Sequence, residues 1–388
     1  MKRHIVWAAV ALSTLAVLVA TLRPAGTALA PGWSFDLSSG DSGLAELIQN
    51  LLLFIPLGLS LPLAGVRPWR AIALGALLSF SVEFAQQWIP GRDPNLGDII
   101  CNTAGTAIGV ALVCSRSHWL TTPPRRSAWQ ALAAAFLAVL VWLGTGAALK
   151  PSLPAAPLNV ESAPDLNHWG RFHGKVVWVR FASGMLNVEA IAPTRPPGRE
   201  APLAVVFDTH GTPAVTFAVE GRDLELTYHT RAAELRLEAP ELRWRGALAP
   251  IAPGATFTAS AGHDENGICM AVNHAFRCGF GYTIGDGWKL IFDPEEFPAW
   301  ALATLNALWI TGCVVGVGWW AARTDRRWAA RIAVGIVLLG LVIVPWLTGL
   351  KGTSLVEWIG ALGGIELGLV LGSKTSTAQQ SDTPSPRT

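Results

Sequence analysis

The sequence predicts an α-helical polytopic membrane protein of about eight spans with an inserted, extracytoplasmic all-β sandwich of jelly-roll-like pattern. Three observations carry this. Only 14% of the 388 residues are charged and 51% are hydrophobic, with a mean hydropathy of +0.39; a soluble protein carries about 25% charge. Eight apolar runs each come close to the ~20 residues that a helix needs to cross a bilayer. One long polar stretch of alternating residues separates the fifth run from the sixth. Disorder, collagen and coiled coil are excluded by an apolar, non-repeating chain with 18 tryptophans. A net charge of +2 supplies no basic field for nucleic acid.

The runs lie at 5–22, 44–64, 69–89, 96–114, 128–149, 300–321, 328–347 and 354–371. They divide the chain into a five-helix membrane domain over 1–150, an external domain over 151–298, a three-helix segment over 299–372 and a disordered cytoplasmic tail over 373–388. The positive-inside rule orients them. With Met1 in the cytoplasm, the inner segments hold 13 basic residues and the outer ones 4, leaving the insert aside. Both termini are then cytoplasmic and the insert lies outside. Trp69, Trp129 and Trp328 fall at inner helix ends and Trp88, Trp300 and Trp346 near outer ones, as headgroup belts require. Lys2-Arg3, the first apolar run and Ala28-Leu29-Ala30 also fit a signal peptide. The run is long for a signal core, so it reads as an uncleaved anchor.

The insert holds 12 basic and 17 acidic residues, a net of −5. Strand-like runs occur at 175–181, 186–191, 203–208, 214–220, 224–230, 234–238, 241–245, 255–260 and 288–292. Val215, Phe217 and Val219 share one face, as do Leu224, Leu226 and Tyr228, and Gly221-Arg222-Asp223 joins the two runs as a hairpin turn. Many short strands read as a β-sandwich. Cys269 and Cys278, both outside the cytoplasm, are expected to form a disulfide. Cys101, Cys114 and Cys313 sit in helices as packing residues. Six of the eight histidines lie in the insert, but none pairs with the cysteines at a recognised ligand spacing, so no metal and no cofactor is expected.

The membrane half concentrates its chemistry in residues 46–109. Outside the insert there are ten acidic residues, and six of them fall between Asp36 and Asp98. Glu46 and Asn50, Glu83 and Gln87, and Asp98 and Asn102 are three pairs spaced i, i+4, so each pair shares a helix face. The topology brings all three helix ends to the outer leaflet. The six side chains can then converge at one depth as a ligand-binding cluster, with Arg92 and Asp93 as a cover. Glu83 falls about six residues inside the outer end, roughly 9 Å, where an ionisable group needs a cavity or a partner. Asp98 serves equally well as a helix cap, and Asn50 and Asn102 serve equally well as interhelical bonds. Glu366, in the last span, has no motif around it. Gly105-x-x-x-Gly109 lets another helix approach closely, and Pro56 is expected to kink the second helix.

"NLLLFIPLG" from Asn50, "EFAQQ" from Glu83 and "GRDPNLGDIICNTAGTAIG" from Gly91 resemble the VanZ family of bacterial membrane proteins. The resemblance covers about residues 1–148. It implies a bacterial inner-membrane location and a link to cell-envelope functions and low-level teicoplanin resistance. It does not imply a particular biochemical activity. The external insert and three further helices depart from the family pattern. Within the insert, "NVEAIAPTRPPGREAPLAVVFDTHGTPAVTFAVEGRDLELTYHT" is similar to the opening strands of concanavalin A-like (laminin-G-like) modules, which implies glycan recognition. A packing or spacer role fits the same pattern.

Three functions follow from these readings. In the first, the acidic and amide cluster with Arg92 engages an envelope lipid or lipid-linked precursor at the outer leaflet, Arg92 meeting a phosphate. In the second, Glu83 and Asp98 act as an acid/base pair or metal ligands on a lipid phosphate or ester. No Ser-His-Asp set, HExxH, Walker loop or GxGxxG accompanies them. The third, a transporter, calls for an internal repeat and a midplane site, and the sequence has neither feature. The first reading is preferred.

Overall fold

The computed structural model describes residues 3–25, 32–35, 42–120, 122–152, 158–165, 169–264, 267–292 and 297–381. Ala28-Leu29-Ala30, Asp36 and the residues after 381 lie outside this set.

Runs of Leu, Ala, Val and Ile close the backbone into helices where water is absent. The first group is α1 (Arg3–Thr21), α2 (Gly43–Leu63), α3 (Pro68–Gln86) and α4 (Leu96–Cys114). Pro68 occupies the first turn of α3, where a missing N–H costs nothing. Asn95 caps α4, its side chain accepting from the Gly97 N–H at 2.8 Å. A short α5 (Arg116–Leu120) leads to α6 (Pro124–Leu149). Among the described residues, seven helices are long and apolar enough to cross a membrane, namely α1, α2, α4, α6 and the three C-terminal ones introduced below. The sequence reading counts α3 as another span. Its Arg70, Ser79, Glu83 and Gln86 leave it short of that apolar content. α2 runs unbroken through Pro56 and Pro62.

The insert folds as two five-stranded antiparallel sheets. Its strands are β1 (Asn159–Ser162), β2 (Lys175–Ala182), β3 (Met185–Ile191), β4 (Ala201–Phe207), β5 (Pro213–Glu220), β6 (Asp223–Tyr228), β7 (Leu242–Trp244), β8 (Thr256–Asp264), β9 (Gly267–Val272) and β10 (Ala275–Phe280). One sheet has the order β1-β4-β5-β6-β7 and the other β10-β9-β8-β3-β2. The expected hairpin is in register, with Val215 opposite Tyr228, Phe217 opposite Leu226 and Val219 opposite Leu224. Gly221, at φ 58°, supplies the left-handed turn residue. The inner faces share one core around Leu186, Leu203, Phe217, Leu226, Phe257 and Met270, all essentially fully buried. Cys269 and Cys278 face each other across β9 and β10 and are bonded.

Two expected strands are absent. Residues 234–238 leave α7 (Arg231–Glu234) in a turn, with Arg236 left-handed at φ 58°. Residues 288–292 are the end of a 3-10 helix (Ile284–Leu290), started by a reciprocal cap between Thr283 and Asp286. The strands β1, β9 and β10 lie where no run was expected.

The remaining helices are α8 (Ala299–Ala321), α9 (Arg327–Thr348) and α10 (Leu355–Ser381). α10 therefore continues beyond residue 372, where the sequence reading begins a disordered tail. Gly349, at φ 76°, ends α9. A buried stripe from α6, α8, α9 and α10 forms a second core around Trp142, Ile310, Leu341 and Ile365. Glu366 is exposed on α10.

Candidate functional site

The floor of the site starts from how closely α2 and α4 cross. A Cβ on Gly105 would lie 2.2 Å from the Leu51 carbonyl oxygen, and one on Gly109 2.4 Å from that of Ile55. A Cβ on Gly58 would meet the Thr106 oxygen at 2.2 Å. Only hydrogen fits at these three points, so the two backbones touch. This crossing brings Asn50 to Asp98, and Asn50 Nδ2 donates to Asp98 Oδ1 at 2.7 Å.

Glu83 sits in the last turn of α3, because that helix ends at Gln86. This is about 4.5 Å from the helix end at 1.5 Å per residue, less deep than the sequence reading places it. It is nevertheless only 1% exposed, since the loop from Gly91 to Asn95 folds over it. Its Oε2 accepts the Asn95 N–H at 2.9 Å. Gln86 Nε2 donates to the Thr21 carbonyl at 3.0 Å. Arg92 turns its fork towards α1, where Nε reaches the Arg23 carbonyl at 2.9 Å and Nη2 the Ala20 carbonyl at 2.8 Å. It thus satisfies carbonyls that a helix end leaves without partners.

These groups form the floor of a chamber of about 1160 Å³. Glu46, Asn50, Glu83, Arg92, Asp93 and Asp98 all line it, joined by Gln49, Gln86 and Asn95. Two residues of the expected cluster do not line it. Gln87 is the residue after α3 and lies off the chamber, the inward position being Gln86, three residues after Glu83. Asn102 lies deeper, donating to Ser79 Oγ at 2.9 Å as a bond between α4 and α3.

The roof is the β-sandwich domain, which sequence reasoning did not connect to the cluster. The Arg236 carbonyl accepts the N–H groups of Leu44 and Ala45, at 2.9 and 3.2 Å, and so covers the start of α2. Register then fixes which face of the first sheet looks down. Thr216 is opposite Thr227 and Glu225 is opposite Arg243, on the face away from the sandwich core. Thr216, Thr227, Glu200 and Glu241 line the chamber from above. Seven carboxylates and two arginines, Arg92 and Arg236, line it among the described residues. Such a surplus favours cations and hydroxyl, ammonium or amide donors over a phosphate. Arg92 is the phosphate ligand named in the sequence reading, and it is largely committed to α1.

An apolar groove of about 420 Å³ adjoins the chamber. It runs between α1 and α2 along Ser13, Ala16, Leu52 and Pro56. Gln49, Leu53 and Phe292 line both spaces.

Residues 8–117 match the family model described as VanZ/LLP1. The match spans most of α1, all of α2 to α4 and every membrane-side residue of the chamber. The VanZ-like segment stops before the β-sandwich domain, which supplies the roof. No curated protein and no solved structure matches the chain.

Proposed function

We propose that this multi-pass, VanZ-like membrane protein holds an envelope lipid or lipid-linked precursor at the outer leaflet of the bacterial inner membrane. The head group enters the acidic chamber and an acyl chain lies in the groove between α1 and α2. The observation that supports this reading is that the two spaces are adjacent, sharing Gln49, Leu53 and Phe292 as lining. A polar space beside an apolar groove suits an amphiphile. The carboxylate surplus suits a head group rich in hydroxyls or bearing an ammonium, such as a sugar or an ethanolamine. A glycan on the precursor would lie under the sheet face, and this gives the external domain the glycan role its strand pattern suggests. On this reading, loss of the protein alters susceptibility to teicoplanin.

The test is lipid retention. Protein extracted in mild detergent is analysed by native mass spectrometry, as wild type and as Leu53→Trp, which fills the groove. The wild type is expected to carry a defined lipid that the variant has lost. Equal retention of the same lipids by both proteins refutes the reading.

A further inference from the structure

The roof of the chamber holds a second constellation that the lipid reading does not use. Glu225 lies in the middle of β6, with Glu241 just before β7 and Glu200 just before β4. Register puts the three carboxylates on one sheet face, because Glu225 opposes Arg243 and Ala218, and Ala218 opposes Pro202. One oxygen from each of Glu200, Glu225 and Glu241 lies within 4.8 Å of the others. Two oxygens on opposite sides of a calcium ion at about 2.4 Å are about 4.8 Å apart. The three groups can therefore share one ion without backbone movement.

The guanidinium of Arg243 stands among these carboxylates. Arg243 lies 2.7 Å from Glu220, 2.8 Å from Glu225 and 3.7 Å from Asp223, and it also pairs with Glu241. With Glu200, five carboxylates thus stand around one guanidinium. Glu225 is the critical member. Its side chain is fully buried, with Oε1 2.8 Å from Arg243 Nη2. Among the described residues no hydrogen-bond donor reaches Glu225 Oε2. A buried carboxylate oxygen without a donor is costly unless a proton or a cation meets it.

We infer that Glu200, Glu225 and Glu241 bind a hard divalent cation of the calcium class on the chamber roof. Three oxygen ligands and no sulfur or imidazole select such an ion over zinc or copper. The inference stands whether or not a lipid occupies the chamber. The experiment uses the purified full chain, freed of metal by a chelator and titrated with terbium. Trp169 lines the same cavity, so indole excitation is expected to sensitise the bound ion. The expected result is one terbium per chain, displaced by calcium. Glu225→Gln and Glu200→Gln, with unchanged circular dichroism, are expected to bind at least about tenfold more weakly. Glu200 lies outside the strands, so its variant carries the test if the Glu225 variant fails to fold. No sensitised emission from the wild type overturns the inference, and so does binding that survives unchanged in folded variants.

Discussion

Gly105→Ala is the sharpest probe of how the chamber floor is built. The added carbon would lie 2.2 Å from the Leu51 carbonyl oxygen, where ordinary contact begins near 3.4 Å. The obstacle is backbone, so no rotamer change relieves it, and α2 and α4 must separate by roughly 1 Å. Asn50 and Asp98 lie at the same crossing, and their 2.7 Å bond would stretch beyond hydrogen-bonding range. Overpacking of this kind costs about 1–3 kcal/mol, and the lost bond adds about 1 kcal/mol. Alanine's better helix propensity returns up to about 1 kcal/mol. The net loss is therefore about 1–3 kcal/mol. Gly144→Ala in α6 is the control, since nothing lies within 4 Å of its Cβ; it is expected to be neutral or slightly stabilising. The assay is denaturant unfolding in detergent micelles, paired with lipid retention. A Gly105→Ala protein as stable as Gly144→Ala, with its lipid intact, would refute the backbone-contact account.

Three further outcomes are expected. Glu357 is fully buried and accepts the N–H groups of Gly285 at 2.9 Å and Ser354 at 2.7 Å, together with the Thr283 hydroxyl. Glu357→Ala should cost about 2–4 kcal/mol by leaving those donors unmet, and amide exchange over 283–290 should rise; unchanged exchange there would count against it. Reducing Cys269–Cys278, nine positions apart, should cost the sandwich about 2–3 kcal/mol by freeing a short loop in the unfolded chain, read as a lower urea midpoint with reductant. Glu225 is raised to about 10 from an ordinary 4.5, so the folded state binds its proton more tightly than the unfolded state. Metal-free stability should then fall as pH rises between those values, and Glu225→Gln should remove that component; an identical pH profile in the variant would disprove it.

Hydropathy alone located the helices, because a bilayer-spanning run is a long-window signal that single residues do not disturb. α4 has the same limits, Leu96–Cys114, in the sequence reading and in the structure. The strands were less legible. β9 and β10 interleave Gly, Cys and Arg with their apolar residues, and what holds them is cross-strand pairing and a disulfide that no local pattern encodes. Residues 288–292 alternate like a strand, but the Thr283–Asp286 cap commits that stretch to a 3-10 turn. The floor of the site could be read from i, i+4 spacing, except where α3 ended early and put Gln86 rather than Gln87 on the chamber. The roof could not be read at all. Glu200 and Glu241 are far from Glu46 in sequence and meet its chamber only through tertiary docking, at Arg236 on α2.

That docking has a mechanical side. Two of the sandwich's attachments lie on different groups of helices. Arg236 rests on α2, and Thr283 with Gly285 is fastened to Glu357 of α10. Helices α1 to α4 pack chiefly with one another, as do α6, α8, α9 and α10. On the far side Trp119 meets Trp319, with ring centres 6.5 Å apart. The β-sandwich domain thus bridges two groups of helices. Any tilt of one bundle against the other would have to pass through it and would change the gap between chamber floor and roof.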